Sequence, residues 1–346
     1  MNHRSVTSIG LVFPHRLRLA QTPTPLTPMH RFCLTRGLPL IWLKRDDLTH
    51  STSSGNKIRK LEFCLAEAKR QNADVVLTYG GLQSNHCRTT ALLCAQLGLQ
   101  CHLVLRSPSE PDEPADGNLL LDQLAGARIT YVAARELAKN AKAIENEIVA
   151  EYQQHGLSTY CIPIGASDAT GLWGYVAAAA ELATDFDIHS INPAHIVTAS
   201  GSGGTQSGLM VGAHAFGLGA KVWGINVCDD RNWFSKKIRD DLNQWEAKYH
   251  SGIDVNALDI NILDGHVGEG YARASDDVLE TIADVSKSEG IVFDPVYTGK
   301  AFHGLLNEIA AGRFDDPEDL VFMHTGGVFG LFPFRERFSL LTQNTS

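Results

Sequence analysis

Residues 73–106 read ADVVLTYGGLQSNHCRTTALLCAQLGLQCHLVLR. The opening ADVVLTYG is a β-branched and aromatic run, as a strand requires. A glycine turn leads into SNHCRTTALLCAQLG, a helical pattern behind a Ser-Asn pair suited to a helix start. QCHLVLR then begins a second strand. Two strands with a helix between them cannot close as a hairpin. The helix carries the chain back across the sheet, and the strands run parallel.

The same order repeats on the C-terminal side of this unit. ARITYVA (127–133) precedes the polar-apolar stretch RELAKNAKAIENEIVAEYQQHG, and STYCIPIG (158–165) leads into LWGYVAAAAELATDF. AHIVTAS (194–200) passes through a glycine loop into TQSGLMVGAHAFG, and KVWGINV (221–227) begins another unit. GIVFDP (290–295) and LVFMHTGG (320–327) close the series of expected strands. The class is α/β with crossover units on parallel sheets. At 346 residues the chain exceeds what one core covers, so two domains are expected. The Pro- and Asp-rich SPSEPDEPADGN (107–118) reads as a surface loop and not as a hinge.

Bulk properties narrow the function. With 44% hydrophobic and 20% charged residues the chain belongs with packed globular proteins, not disordered ones. Its 30 basic and 39 acidic residues give a net charge of −9, and no basic stripe marks a nucleic-acid binder. Seven cysteines are scattered singly, without Cys-x-x-Cys or Cys/His zinc spacing; they read as small core residues in a reducing compartment, and no metal site is expected. The first twenty residues contain no apolar run long enough for a signal peptide, and YVAAAAELA is too short to span a bilayer. A cytoplasmic enzyme or binding protein is the expectation.

In parallel α/β sheets ligands collect at the carboxyl ends of strands, where loops open into helix starts. GSGGTQSG (201–208) has that position and a composition that lets the backbone approach an anion closely. Gln206 occupies the third glycine place of the dinucleotide fingerprint, and no Gly-Lys-Ser/Thr follows. A phosphomonoester on a small cofactor suits the loop better than a nucleotide, and a tightly packed turn is the plain alternative. In YGGLQSNHCRT (79–89), Ser84 or Asn85 serves as an N-cap, although the same geometry suits a substrate carboxylate; His86 has no assigned role. FDPVYTGKAFHG carries Tyr297, which on residue type alone is a core or rim residue. STSSGNKIRKLEF (51–63) sets Lys57 in a Ser/Gly loop before a helix, as a surface cation or as an amine held for a carbonyl. A lysine for an aldehyde, a Gly/Ser/Thr cup for a phosphate and partners for a ring oxygen and nitrogen make up the requirements of pyridoxal phosphate.

Five segments together, SGNKIRKLE (54–62), GGLQSNHCRTTA (80–91), SGSGGTQSG (200–208), DPVYTGKA (294–301) and HTGG (324–327), resemble the D-cysteine desulfhydrase and 1-aminocyclopropane-1-carboxylate deaminase family. The resemblance spans roughly residues 10 to 335 and implies a fold type II pyridoxal phosphate enzyme, two open twisted domains of mostly parallel sheet with the cofactor between them. A small domain at 48–165 would be inserted into a large one built from 1–47 and 166–346, and members are typically homodimers. Carried over by position, Lys57 would bond the cofactor aldehyde, Asn85 the ring hydroxyl oxygen and Ser84 the substrate carboxylate. Gly201, Ser202, Gly203, Gly204 and Thr205 would cup the phosphate, and Thr325 would face the pyridine nitrogen. Tyr297 and Tyr271 match two active-site tyrosines. The chain departs from the family at YARAS (271–275), where Tyr-Gly-Val/Ile-Pro is usual, and at Ser54, where a glycine is usual.

Two positions separate the branches of the family. The deaminase branch has Glu after the DPVY tyrosine and Leu in place of the Thr of HTGG; here the residues are Thr298 and Thr325, the desulfhydrase pattern. A carboxylate near the pyridine nitrogen would strengthen the electron sink that ring opening needs, whereas thiolate expulsion manages without it. The resemblance therefore implies α,β-elimination on a small amino acid, D-cysteine giving pyruvate, hydrogen sulfide and ammonia. The cyclopropane deaminase, an L-cysteate sulfo-lyase and a non-catalytic binding protein are the alternatives.

Overall fold

In a computed structural model, residues 10–314 and 319–343 are described. Among the described residues ten strands form two sheets. The six-stranded sheet contains β1 (Leu26–Pro28), β2 (Ile41–Arg45), β7 (His195–Ser200), β8 (Lys221–Asn226), β9 (Asn261–Leu263) and β10 (Leu320–His324), in the order β1-β2-β10-β7-β8-β9. All its pairs are parallel except the edge pair β1–β2. The second sheet contains β3 (Val75–Gly81), β4 (Gln100–Arg106), β5 (Arg128–Val132) and β6 (Thr159–Cys161), in the order β5-β4-β3-β6, all parallel.

The helices are α1 (His30–Arg36), α2 (Asn56–Arg70), α3 (Asn85–Leu97), α4 (Gly117–Leu124), α5 (Ala134–Gln154), α6 (Trp173–His189), α7 (Gly204–Ala215), α8 (Arg231–Tyr249), α9 (Asp276–Glu289), α10 (Thr298–Ala310) and α11 (Arg335–Gln343). Alternation along the strands explains why both sheets are covered on two faces. Val321 and Met323 of β10 enter the core beneath α6, α7 and α8, while Leu320 and Phe322 enter the core beneath α1, α9 and α10. In the smaller sheet Leu103 and Leu105 pack toward α2, α3 and α4, and Val104 packs toward α5. The inner strands β10 and β4 thus bury apolar side chains on both sides, which is why such strands read as continuous hydrophobic runs.

GIVFDP is not a strand. Ile291 and Phe293 are buried, but the Asp294 carboxylate accepts the N–H groups of Val296, Tyr297 and Thr298. Those bonds turn the chain into α10 before it joins the sheet, and β10 holds the central position instead. The cysteines are all free, and five of them are buried.

Candidate active site

Loops at the carboxyl ends of β3, β7 and β10 meet the start of α2 at one cleft. Lys57, Asn85, Gly201, Ser202, Gly203, Thr205, Tyr297 and Thr325 all line it. Residues separated by up to 268 positions in the chain are therefore brought together, from Lys57 to Thr325. Gly204, Ser84 and Tyr271 are not in this lining; the first two adjoin Gly203 and Asn85 in the chain, and Tyr271 bonds to Tyr297.

Lys57 is the second residue of α2, and its position depends on Gly55. Gly55 has φ +107°, and a Cβ there would lie 2.7 Å from the Thr325 carbonyl oxygen. Its absence lets the Asn56 N–H donate to that carbonyl at 3.0 Å, pressing the start of α2 against the HTGG turn. Two residues beyond Lys57, the buried Arg59 donates to Asp46, Glu181 and Thr24, at 2.8 to 3.0 Å. Tyr175 closes on Asp46 at 2.6 Å. This buried network fixes the helix that carries the lysine.

The Lys57 amine makes no side-chain hydrogen bond among the described residues, and burial lowers its pKa from 10.5 to about 8. Gly165 backs it: a Cβ there would come within 2.7 Å of Ser202 Oγ and 3.4 Å of Lys57 Nζ. At 8, a tenth or so of the amine is neutral at neutral pH, against less than a thousandth for an exposed lysine.

The glycine loop follows β7 and opens into α7. Gly203 has φ +81°, a conformation that suits glycine. The first N–H groups of α7 have no helical acceptor, so the loop presents donors to an anion. Behind it, Ser202 Oγ and Ser167 Oγ share a hydrogen bond at 2.7 Å, and Lys60 Nζ donates to Ser167 Oγ at 3.2 Å. A Cβ on Gly204 would meet Ser167 Oγ at 2.6 Å and Lys60 Nζ at 3.0 Å, so this glycine is demanded by packing behind the loop. Burial, reinforced by Lys57, brings Lys60 well below the usual lysine range.

Ser84 is the N-cap of α3, and its oxygen accepts from Cys87 N at 3.2 Å. The same hydroxyl also meets the Cys87 side chain in a hydrogen bond. His86 belongs to the core. Thr78 gives its only proton to the Ile162 carbonyl at 2.8 Å, so the 2.8 Å contact with His86 requires Nε2 to donate. Burial, followed by Lys57, holds His86 neutral.

Tyr297 and Tyr271 share a 2.6 Å hydrogen bond, and burial raises the pKa of both. The turn after Tyr271 is strained, because Ala272 adopts φ +58°. That is the position where the resembled family has glycine. The buried Lys300 stabilises the turn from behind by donating to the Val267 and Gly270 carbonyls at 2.9 and 2.6 Å.

The two threonines have unequal situations. Thr325 lines the cleft, and its hydroxyl has no protein partner among the described residues. The Thr298 hydroxyl donates to Asp294 Oδ1 at 2.7 Å and accepts from Asp294 N at 2.8 Å. Thr298 is used within the fold.

An amine, hydroxyl groups and a glycine-rich loop face one cleft, and comparison with known proteins decides what kind. The description "Pyridoxal-phosphate dependent enzyme" fits residues 17–326. The chain belongs to this family. It is 39% identical over 342 residues to a mitochondrial bifunctional D-cysteine desulfhydrase/1-aminocyclopropane-1-carboxylate deaminase of Arabidopsis thaliana, covering 96% of this chain and 83% of that one. It is 37% identical to a putative 1-aminocyclopropane-1-carboxylate deaminase of Thermotoga maritima, over 92% of this chain and 97% of that one. A crystal structure of a 1-aminocyclopropane-1-carboxylate deaminase homologue superposes with a TM-score of 0.87 at 34% identity, covering 98% of this chain and all of the other. The enzyme is thus a pyridoxal phosphate-dependent lyase of the desulfhydrase and deaminase group.

The residues present fit this cofactor. Lys57, Thr325 and Asn85 line the cleft, and the Lys57 amine, the Thr325 hydroxyl and the Asn85 amide nitrogen have no hydrogen-bond partner among the described residues, beside a glycine loop that opens into a helix start. Sequence reading missed Lys60, Ser167, Gly165 and Lys300 as supports of the site. Only Lys60 left a signal, since three residues past Lys57 on a helix it shares a face with it.

Proposed function

We propose that the enzyme converts D-cysteine and one water to pyruvate, hydrogen sulfide and ammonia by α,β-elimination. The observation that carries this reading is the acid-free lining of the cleft. Its lining includes no carboxylate among the described residues, and Thr325 offers a hydroxyl. Expulsion of a thiolate is compatible with that environment, whereas ring opening calls for a stronger electron sink.

When bound, pyridoxal phosphate supplies an aldehyde for the substrate amine and a sink for electrons from the α carbon. Lys57 would hold it, Asn85 would donate to its ring oxygen, residues 201 to 205 would cup its phosphate and Thr325 would face its ring nitrogen. The Lys57 amine, with a pKa of about 8, is suited to taking the α proton. The first N–H groups of α3, with the Ser84 hydroxyl turned away from the Cys87 sulfur, would hold a substrate carboxylate. Tyr297, kept protonated by burial and bonded to Tyr271, delivers a proton to the departing sulfur.

In this reading the smaller sheet belongs to a domain at 48–165, the remainder of the chain forms the larger domain, and the protein works as a cytoplasmic homodimer. Free cysteines support a reducing compartment. No helix among the described residues is long and apolar enough to cross a membrane. The deciding experiment measures products from D-cysteine, L-cysteate, D-serine and 1-aminocyclopropane-1-carboxylate. Sulfide and pyruvate from D-cysteine as the fastest reaction is the expected result. A preference for the cyclopropane substrate refutes it, and activity on cysteate alone changes the leaving group to sulfite.

A further inference from the structure

Arg88 is completely buried on α3 and has no carboxylate among its hydrogen-bond partners. Nη1 donates to Asn85 Oδ1 at 3.1 Å and to Asn118 Oδ1 at 2.9 Å. Nη2 donates to the Ser54 carbonyl at 2.6 Å and to Thr89 Oγ1 at 3.2 Å. The guanidinium carbon lies 4.9 Å from the centre of the Phe329 ring, just past the HTGG turn. Burying a cation with no carboxylate bonded to it is expensive; amide, carbonyl and hydroxyl oxygens offset it at contact, and Asp122 and Asp294 attract it from beyond hydrogen-bond range. Burial brings Arg88 down to about 10, so it stays charged at neutral pH.

The consequence concerns Asn85. A guanidinium has only donors, so the Asn85 oxygen must face it and the NH2 must face elsewhere. Among the described residues that NH2 finds no protein acceptor, while Asn85 lines the cleft. The same guanidinium holds Ser54, three residues before Lys57, and Asn118 in turn bonds the backbone and side chain of Gln83. We propose that Arg88 is a positioning residue that orients the Asn85 amide toward the ring oxygen of the cofactor and ties it to the loop carrying Lys57. This rests on the reading of Asn85 as the ring-oxygen partner. A positive charge behind the amide also polarises its N–H bonds and strengthens donation to an anionic oxygen.

Apoprotein titrated with pyridoxal phosphate, followed by the visible band of the lysine-bound cofactor, tests both statements. Asn85→Ala and Arg88→Gln are each expected to weaken cofactor binding roughly tenfold or more and to displace the band at saturation. Arg88→Lys retains a cationic donor and is expected to restore most of the affinity. If Asn85→Ala leaves band and affinity as in wild type, the reading of Asn85 fails and takes this inference with it. If Asn85→Ala weakens binding while Arg88→Gln keeps the wild-type band and affinity, even with a lower unfolding midpoint, Arg88 is a structural anchor only and the inference is overturned. Should Arg88→Gln not fold, Asn85→Asp carries the test. It keeps an acceptor for Arg88 and removes the donor, so the apoprotein midpoint should hold or rise as affinity falls. A lower midpoint would overturn the contact.

Discussion

Replacing Lys57 by Met in the apoprotein should make it more stable, and the gain should depend on pH in a defined way. Burial reduces the lysine pKa from 10.5 to about 8. At ~1.4 kcal/mol for each tenfold change in proton affinity, the native state bears a penalty of up to about 3 kcal/mol for the charged amine. Below pH 8 the amine is protonated in both states, and the whole penalty is present. Between 8 and 10.5 the native state has released the proton while the unfolded chain retains it, so wild-type stability rises with pH. Above 10.5 both states are neutral and the penalty is gone. Methionine approximates the lysine stem without the charge, so its advantage should be greatest at pH 7 and vanish near pH 10.5. Urea unfolding of both apoproteins at pH 7, 8.5 and 10 measures this. Equal stability at pH 7, or an advantage that does not shrink with pH, would refute the claim that the amine is held desolvated for chemistry.

Thr298→Val should lower stability by about 1.5–3 kcal/mol, since a buried carboxylate loses a hydroxyl donor, while the cofactor band stays put. Thermal unfolding and the visible spectrum together check this; a displaced band with unchanged stability would put Thr298 at the cofactor. Ala272→Gly should stabilise the enzyme by about 1 kcal/mol by relieving φ +58°, seen as a higher unfolding midpoint. Ser84→Ala should cost about 1 kcal/mol as a lost cap and should also raise KM for the amino acid, with the resting spectrum unaltered. A normal KM would leave Ser84 with the cap alone.

The branch argument from Thr298 and Thr325 changes once the side chains are placed. As a pair of letters the two threonines are equivalent neutral residues. In the structure only Thr325 reaches the cleft, and Thr298 is committed to Asp294. A glutamate at 298 would meet a fully buried carboxylate, so that position sets the branch only if Asp294 is accommodated too.

Much of the molecule was legible without coordinates, because the signals concerned are local. Apolar runs of β-branched residues declare strands covered on both faces, a Ser-Asn pair declares a helix start, and a glycine loop between strand and helix declares where a ligand would be looked for. Lys57, Asn85 and residues 201 to 205 could be singled out for that reason, and resemblance supplied the chemistry. What the chain alone left undecided are choices made by groups far apart in it. GIVFDP has the composition of a strand, yet the N–H groups around Asp294 turn it into a helix start. Arg88 looks like one polar helix residue among several, and its meaning lies in Ser54 and Asn118, each at least 30 residues away. Lys60 and Gly165 matter because a packed core places them behind an amine and a glycine loop. Burial and opposed partners set protonation and orientation, and both arise only when distant segments exclude water together.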